Sequence, residues 1–384
     1  MPRKILPRDI RKSSPSFLIA VVVALALTAG AWSIAIAAPK DGLALGKAEL
    51  QSIGALEFGP PGILFVADSK GTSVYALEVP AAEGEAVTEI PSIENLDEKI
   101  AARLGVGPRD VAIQDMAVQE KSGMIYLSVM RGRGDGAKPV LLTIDQEGKL
   151  SELSLAKVRH DRLEITNPPV EDDKSRWHTR ELTITDLEFV DGELLIAGLS
   201  NEEFNSVLRR TPFPFEPQVA VTGLEIYHGA HGKYETHAPI YSFLPFDVGG
   251  KQHLLAGYLC TPLVTFSMDE VRKNTKLRGK TIAELGWGNV PTDMVPYKQD
   301  GEDWILVANN RRGPMKFKAS DIEAANKKPG ITTEVGPRVG LVDHSVPLGH
   351  VAQLDRFNDQ LIVLLTRDME TGGLNLSSRS SKWL

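Results

Sequence analysis

The segment Ile53–Val79, IGALEFGPPGILFVADSKGTSVYALEV, sets the pattern that predicts the fold. It reads as a short apolar strand, a turn with glycine, a second strongly apolar strand, a polar turn and a third strand. The second strand, Ile63–Ala67, carries no polar residue, which is typical of a strand covered on both faces. A unit of this kind cannot bury its own surface, so we expect repeated units that stack.

The same pattern recurs along the chain at intervals of about 60 residues. The later copies begin at Ile113, Ile184, Ile240, Pro291 and Val351. Weaker fourth strands are expected from Ala86, Leu150 and Lys280. We therefore predict an all-β fold, a single β-propeller with six four-stranded blades, with seven or eight blades as the alternative.

Three segments stand outside the six copies. The last copy ends after three strands, so Gly42–Leu50 is expected to supply its outer strand and remove an exposed edge. Residues 92–105 predict one inserted short helix, because Ser92 can cap its start and Gly105 can end it. Residues 159–181 are polar, contain two prolines and are expected to form a long surface insertion.

The units Ile53–Val79, Ile184–Arg210 and Pro291–Phe317 resemble blades of the secreted bacterial six-bladed propellers grouped with NHL, YVTN and SMP-30-like proteins. The resemblance covers nearly all of residues 38–384 and concerns strands and turns, with no catalytic signature. It implies a β-propeller and no particular activity, because one fold hosts many functions.

The first 37 residues have the features of an export signal. Basic residues precede an apolar run of 22 residues from Phe17 to Ala38, and Ala35-Ile36-Ala37 is a small-x-small cleavage site. We predict a signal peptide over 1–37 and the propeller domain over 38–384, in the periplasm or outside the cell. The alternative is an uncleaved anchor, the only case in which we expect contact with a membrane.

Charge and cysteine content exclude several classes of function. The net charge is −7 for the whole chain, and without residues 1–37 it becomes −11, which argues against nucleic acid as a partner. The only cysteine, Cys260, excludes an internal disulfide and a cysteine-rich zinc site, and we predict that it is a small buried hydrophobe. No glycine-rich phosphate loop or GxSxG motif is present.

Polar residues concentrate in the loops that a propeller brings to one channel mouth. These are the loops before the first strands and between the second and third strands, where propeller ligands commonly bind. Arginine, asparagine and histidine there would suit an anionic, oxygen-rich small molecule. The predicted ligand-binding residues are Arg131, Asn201, Asn289, Asn309, Arg311, Arg367 and His350. The soluble quinoprotein sugar dehydrogenases are similar in residue type only, and this similarity makes a quinone cofactor an alternative.

The densest cluster of metal-binding side chains follows Tyr227, with the spacing H-x2-H-x5-H. Imidazole and carboxylate groups on one loop can converge on a divalent ion, with Zn, Cu, Fe and Ca as the candidates. The predicted metal ligands are His228, His231, Glu235 and His237. The alternative is that these histidines hydrogen-bond the loop or contact a ligand without metal.

Three aspartates, Asp115, Asp186 and Asp293, occupy equivalent positions in the first strands of their units. They could form a carboxylate ring around a cation or a catalytic water. The interpretation that we favour is structural, with each carboxylate bonded to the backbone of a neighbouring blade.

Three functions follow from these features. The first is an exported propeller that binds a small ligand or a metal ion at its channel mouth. The alternatives are a periplasmic enzyme, either a metal- or quinone-dependent oxidoreductase or a lactonase-like hydrolase, and a scaffold that binds a protein partner. Whether the protein is an enzyme stays open.

Overall fold

The computed structural model places its strands in six separate sheets, which form the blades of a six-bladed β-propeller. It describes residues 42–82, 87–171 and 179–384. The predicted fold class is thus confirmed. The predicted signal segment, 1–37, lies outside the described residues, as does part of the predicted insertion.

The described strands are short, and most are antiparallel to their neighbours. In chain order they are β1 Ala44–Gly46, β2 Leu56–Phe58, β3 Ile63–Asp68, β4 Ser73–Glu78, β5 Val111–Val118, β6 Ile125–Arg131, β7 Lys138–Ile144, β8 Leu150–Leu153, β9 Val158–Glu164, β10 Asp186–Val190, β11 Glu193–Leu199, β12 Ser206–Pro212, β13 Ala220–His228, β14 Lys233–Glu235, β15 Ile240–Val248, β16 Lys251–Tyr258, β17 Pro262–Ser267, β18 Lys276–Arg278, β19 Lys280–Leu285, β20 Pro291–Gln299, β21 Glu302–Asn309, β22 Met315–Lys318, β23 Arg338–Gly340, β24 His344–Ser345, β25 His350–Arg356, β26 Leu361–Arg367 and β27 Leu374–Ser380.

The expected helix is α1, Leu96–Leu104, and the structure adds α2, Met268–Val271, and α3, Ala319–Asn326. Gly105 ends α1 in the left-handed conformation, whereas its N-cap is Asn95 and not the expected Ser92. Among the described residues, no helix is both long and apolar enough to cross a membrane.

The sheets divide the chain into blades with one exchange of order. Blade 1 contains β2, β3, β4 and β9, with β1 outermost, and blade 2 contains β5 to β8. Blade 3 is built on β10 to β14, with β18 paired to β13. Blade 4 contains β15, β16, β17, β19 and β23, blade 5 contains β20, β21, β22 and β24, and blade 6 contains β25, β26 and β27.

Blade 2 is inserted into blade 1, between its third and fourth strands. β4 pairs with β9, so that Ser73 lies opposite Glu164, and all of blade 2 lies between them in sequence. The inner strand of blade 2 touches the inner strands of blades 1 and 6, whereas blade 1 contacts blade 3 on its other side. The order around the ring is therefore 1, 3, 4, 5, 6, 2.

This insertion corrects three sequence-based expectations. Gly42–Leu50 does not complete blade 6, because β1 pairs with β9 in blade 1. The fourth strand predicted from Ala86 begins outside the described residues, and its described residues 87–92 form no strand, since that position in blade 1 belongs to β9. The predicted insertion 159–181 is wrong over its first residues, which form β9, and its residues 172–178 lie outside the described part of the chain.

The open edge of blade 6 is covered by the segment that leads into blade 2. Ile93 exchanges two backbone hydrogen bonds with Leu376 of β27, at 2.9 and 2.8 Å. Asp97 of α1 accepts a hydrogen bond from the backbone of Leu374 at 2.9 Å. The connection therefore occupies the place of a fourth strand and protects an edge that could otherwise pair with another chain.

Each pair of neighbouring blades shares an apolar core. Phe65 of β3 is fully buried and packs against Phe189 and Phe213 of blade 3 at ring-centroid distances of 5.5 and 5.2 Å. Burying an aromatic side chain of this size contributes roughly 1.5–3 kcal/mol. The second strands are buried on both faces, which explains why they show no polar alternation.

Carboxylates link the inner strands of neighbouring blades. Asp115 of blade 2 accepts a hydrogen bond from the backbone of Leu56 in blade 1, at 2.7 Å, and Asp355 of blade 6 accepts one from Val118 in blade 2, at 2.6 Å. The same kind of bond joins three more neighbouring pairs: Glu57 to Phe189, Asp186 to Phe243 and Asp293 to Leu354. The structural interpretation of the repeated aspartates thus agrees with their contacts.

These carboxylates are half-buried around the centre of the ring. Burial raises the pKa of Asp115 to about 7 and that of Asp355 to about 7, although backbone hydrogen bonds oppose the shift. Burial, and secondarily the charge of Asp115, raises the pKa of Asp186 and Asp293 well above the ordinary value. The ring therefore holds protons near neutral pH that the unfolded chain would release.

We expect the Asp115→Asn variant to lose less stability than the wild type when the pH rises. The folded-state pKa of Asp115, about 7, lies above its ordinary value of 3.8, so folding binds a proton between these values. The stabilising contribution is complete below that window and is lost as the pH rises through about 7. Asparagine carries no titrating charge, and its single Oδ1 can still accept the Leu56 hydrogen bond, whereas the bond from the Met116 N–H to the other oxygen is lost at every pH. Thermal unfolding at pH 5 and pH 8, followed by circular dichroism, measures the difference.

The matched control is Glu98→Gln, which removes an exposed carboxylate from α1. It should follow the pH dependence of the wild type. If Asp115→Asn did the same, the proposed titration of Asp115 would be contradicted.

Candidate functional site

A polar cluster lies where the outer part of blade 3 meets blade 4. β13 extends to His228, a single 3₁₀ turn follows, and the chain returns through β14 to Glu235. Gly232 closes the turn with φ near 65°, a left-handed conformation that favours glycine. This hairpin brings together His228, His231 and Glu235, three of the four predicted metal ligands.

Glu235 binds both histidines of the hairpin. Its Oε2 lies 3.0 Å from Nδ1 of His228, and its Oε1 lies 2.8 Å from Nδ1 of His231. The two imidazole rings lie against each other with their centroids 3.7 Å apart and their planes tilted by 36°. Because one carboxylate occupies both Nδ1 atoms, the Nε2 atoms are the ring nitrogens left to face other partners.

Blade 4 supplies the other half of the cluster. The turn between β16 and β17 carries Cys260 and Thr261, and Glu284 comes from β19. Nε2 of His228 lies 2.9 Å from the hydroxyl of Thr261, which in turn donates to Glu284. Glu284 also accepts a hydrogen bond from the backbone of Gly229 at 2.6 Å.

The charges of the cluster follow from this network. Burial lowers the pKa of His228, but hydrogen bonds to Cys260 and Glu235 and the charge of Glu284 outweigh it and raise the pKa to about 9. Burial likewise opposes the change at Glu235, where hydrogen bonds from both histidines lower the pKa to about 2. Burial raises the pKa of Glu284. Near neutral pH the hairpin therefore holds an imidazolium–carboxylate pair.

Three groups in the cluster could hold a metal ion together. Ligand atoms of His228, His231 and Cys260 all lie within 4.8 Å of one another. His228 is buried, Cys260 is half-buried and the side chain of His231 is 41% exposed, so the group is reached from the surface. Two imidazoles and a thiol are a donor set typical of zinc and copper sites.

The other predicted metal ligands have different positions. Both oxygens of Glu235 face histidine nitrogens, so this carboxylate orients imidazoles in the way that second-shell groups do at metal sites. His237 lies at the rim, with Nε2 3.9 Å from Glu235 and a side chain that is 63% exposed.

Sequence reasoning assigned Cys260 to the core, whereas the structure places it half-buried beside two histidines. Its backbone has φ near 99°, which is uncommon for a residue other than glycine. The signal that could have found it is the repeat itself. Cys260 precedes Thr261 in a loop between second and third strands, the class of loop expected at the mouth.

The predicted ligand-binding residues lie at the corresponding edges of several blades. Asn289 donates to Asn309 at 2.7 Å, and Arg311 follows in the same turn region. His350 lies opposite Arg367 across the first two strands of blade 6. Arg131 ends β6 in blade 2, and Asn201 follows β11 in blade 3. The seven residues therefore lie in separate groups, each belonging to a different blade.

A cavity of about 1200 Å³ runs along the inner strands of all six blades. Its lining includes the five carboxylates that accept hydrogen bonds from neighbouring blades, and it also includes Glu188. Burial and the charge of Glu57 raise the pKa of Glu188. The seven predicted ligand-binding residues and the four predicted metal ligands are not among the described residues that line it. The histidine cluster is therefore a site separate from the central channel.

Comparisons with known proteins add little to this description. No protein-family model matches the sequence, and no curated protein matches it. Among solved structures the chain is similar to "Dihydro-heme d1 dehydrogenase NirN in complex with DHE", with 12% sequence identity and a TM-score of 0.34. The match covers 82% of this chain and 51% of that one, so this chain spans about half of that structure. A likeness at this level carries no argument about function.

We expect Glu284→Ala to lower the free energy of unfolding by about 2–4 kcal/mol. Glu284 is only 1% exposed, and its loss would leave the N–H of Gly229 and the hydroxyl of Thr261 without their buried acceptor. Denaturant unfolding measures the change. Glu203→Ala removes a glutamate whose side chain is 75% exposed, and as the control it should cost under about 1 kcal/mol. Equal losses in the two variants would contradict a structural role for Glu284.

Proposed function

We propose that this protein is an exported β-propeller that binds a metal ion between blades 3 and 4, through His228, His231 and Cys260. The observation that carries the proposal is the convergence of their ligand atoms within 4.8 Å. The orientation of both imidazoles by Glu235 supports it, because metal-binding histidines ordinarily use their second nitrogen in this way. At His228 the metal would replace the proton on Nε2 and the hydrogen bond from this nitrogen to Thr261.

The donor types select among the candidate metals. Calcium prefers six to eight oxygen ligands, which this group does not offer. Thiolate and imidazole are the donors expected for zinc and copper and disfavour calcium. Three protein ligands are also the number found at sites that keep a position for an exogenous ligand. The proposed site would thus bind zinc or copper and could present it to a small molecule.

Export is part of the proposal and rests on residues 1–37, with their basic start and apolar run. With one cysteine, the chain cannot form an internal disulfide, so no other thiol of the same chain competes with a metal for Cys260. Mass spectrometry of the intact protein from the periplasmic or secreted fraction tests this part. We expect a mature N-terminus at Ala38. A full-length chain with Met1 in the membrane fraction would show an anchor instead.

We expect the purified mature protein to bind about one equivalent of zinc or copper. Elemental analysis after growth with each metal, together with calorimetric titration of the chelated protein, measures stoichiometry and affinity. Cys260→Ser and His231→Ala should each abolish stoichiometric binding, since each removes a donor. Glu235→Gln should keep the donors and weaken affinity by about 10- to 100-fold.

The control is His253→Ala. His253 lies on β16, where its Nδ1 is 2.9 Å from the carbonyl of Lys251, outside the cluster. This variant should bind metal like the wild type. Protein that stays metal-free when both metals are supplied, or that binds metal equally well without Cys260 and His231, would overturn the proposal.

A further inference from the structure

An exposed tryptophan stands on a glycine-bounded turn beside the histidine cluster. The turn Gly286-Trp287-Gly288 follows directly on β19, the strand that contributes Glu284. The Trp287 side chain is 67% exposed, although most large apolar side chains of the blades are buried. Both glycines have positive φ, near 115° and 59°, so the turn conformation favours glycine at each position.

Two consecutive arginines lie against these two glycines. A Cβ atom at Gly286 would meet Nε of Arg312 and lie 2.7 Å from its Cζ, and one at Gly288 would lie 2.9 Å from Nη1 of Arg311. No side chain could occupy either position without displacing a guanidinium. The absence of side chains at positions 286 and 288 thus lets the two arginines approach the turn on either side of Trp287.

Asparagines fix the turn to the loop that carries the arginines. Nδ2 of Asn289 donates to Asn309 at 2.7 Å, and the backbone of Val290 donates to Oδ1 of Asn310 at 2.8 Å. Asn310 returns a backbone hydrogen bond to Val290 at 3.1 Å. Asn289 and Asn309 are almost fully buried. The tryptophan and the arginines therefore sit on two loops that are held together before any ligand arrives.

Among the described residues, neither arginine has an acidic partner. Within residues 42–82, 87–171 and 179–384, the guanidinium groups of Arg311 and Arg312 form no hydrogen bond or ion pair. Other arginines of the blades do have acidic partners, among them Arg272, Arg278, Arg338 and Arg356. In a protein with an excess of acidic residues, two adjacent arginines that have no acidic partner in the described part of the chain make a local site for an anion.

We propose that Trp287, Arg311 and Arg312 form a binding site for a small aromatic carboxylate. Guanidinium groups match the two oxygens of a carboxylate, and an exposed indole offers a flat surface for a planar apolar group. Inorganic phosphate would use the arginines alone, and a cation would be repelled. No metal takes part in these contacts, so this site can exist whether or not the histidine cluster binds one.

The probe is benzoate, titrated calorimetrically into chelator-treated protein so that no metal takes part. Benzamide is the neutral analogue, and inorganic phosphate is the anion without a ring. We expect benzoate to bind, and benzamide and phosphate to bind at least about tenfold more weakly, because each lacks one of the two recognised features. Equal binding of benzoate and phosphate, or of benzoate and benzamide, would overturn the proposed ligand class.

Substitutions assign the binding to these residues. Arg311→Ala, Arg312→Ala and Trp287→Ala should each weaken benzoate binding by about tenfold or more, while Arg103→Ala, which removes an exposed arginine from α1, should have no effect. Trp287 and Arg311 are exposed, so their variants should keep the wild-type unfolding temperature.

A glycine pair tests the geometry separately. Gly286→Ala should displace Arg312 and weaken benzoate binding, whereas Gly301→Ala, which also has a positive φ (near 81°) but where a Cβ meets nothing within 4 Å, should not. Benzoate binding that survives all three side-chain substitutions would overturn the proposal. Failure of this site would leave metal binding at Cys260 unaffected, and the reverse also holds.

Discussion

The hydrogen bond from a backbone N–H to a carboxylate of the neighbouring blade is the interaction on which this ring depends. Blades contact one another mainly through apolar faces. The hydrophobic effect holds such faces together but is non-directional, so it does not fix the relative position of two strands. A carboxylate that accepts an N–H across the gap fixes both the distance and the register of the two inner strands. Asp115 and Asp355 make this bond on either side of blade 2, at the two contacts that close the ring.

The arrangement concentrates acidic groups at the centre of the molecule. Each of these carboxylates accepts hydrogen bonds from backbone N–H groups. All of them face one channel, however, and their charges raise one another's pKa. The protein tolerates this because protonation removes the charge without removing the hydrogen-bond acceptor. The channel is therefore shaped by the needs of assembly. His228 and Trp287, the groups that we propose to bind ligands, lie outside the channel.

The repeat predicted much of this structure, and its failures have physical reasons. Strand periodicity identified all six blades, because buried second strands such as Ile63–Ala67 have an unmistakable composition. It could not identify the partner of β4, since outer strands are half-exposed and β9 reads as a polar loop. The histidine hairpin was predicted because His228, His231 and Glu235 are close in sequence. Cys260 was assigned to the core because its approach to them depends on how blades 3 and 4 pack.

The nesting of blade 2 inside blade 1 has a consequence for how the chain is assembled. The edge of β4 has no partner until Glu164 has been made, so blade 1 cannot be completed before all of blade 2 is available. The other side of blade 2 contacts the last blade, where Asp355 accepts the hydrogen bond from Val118. No N-terminal fragment is a finished structural unit, and we expect the ring to form late and cooperatively, through contacts of high sequence separation.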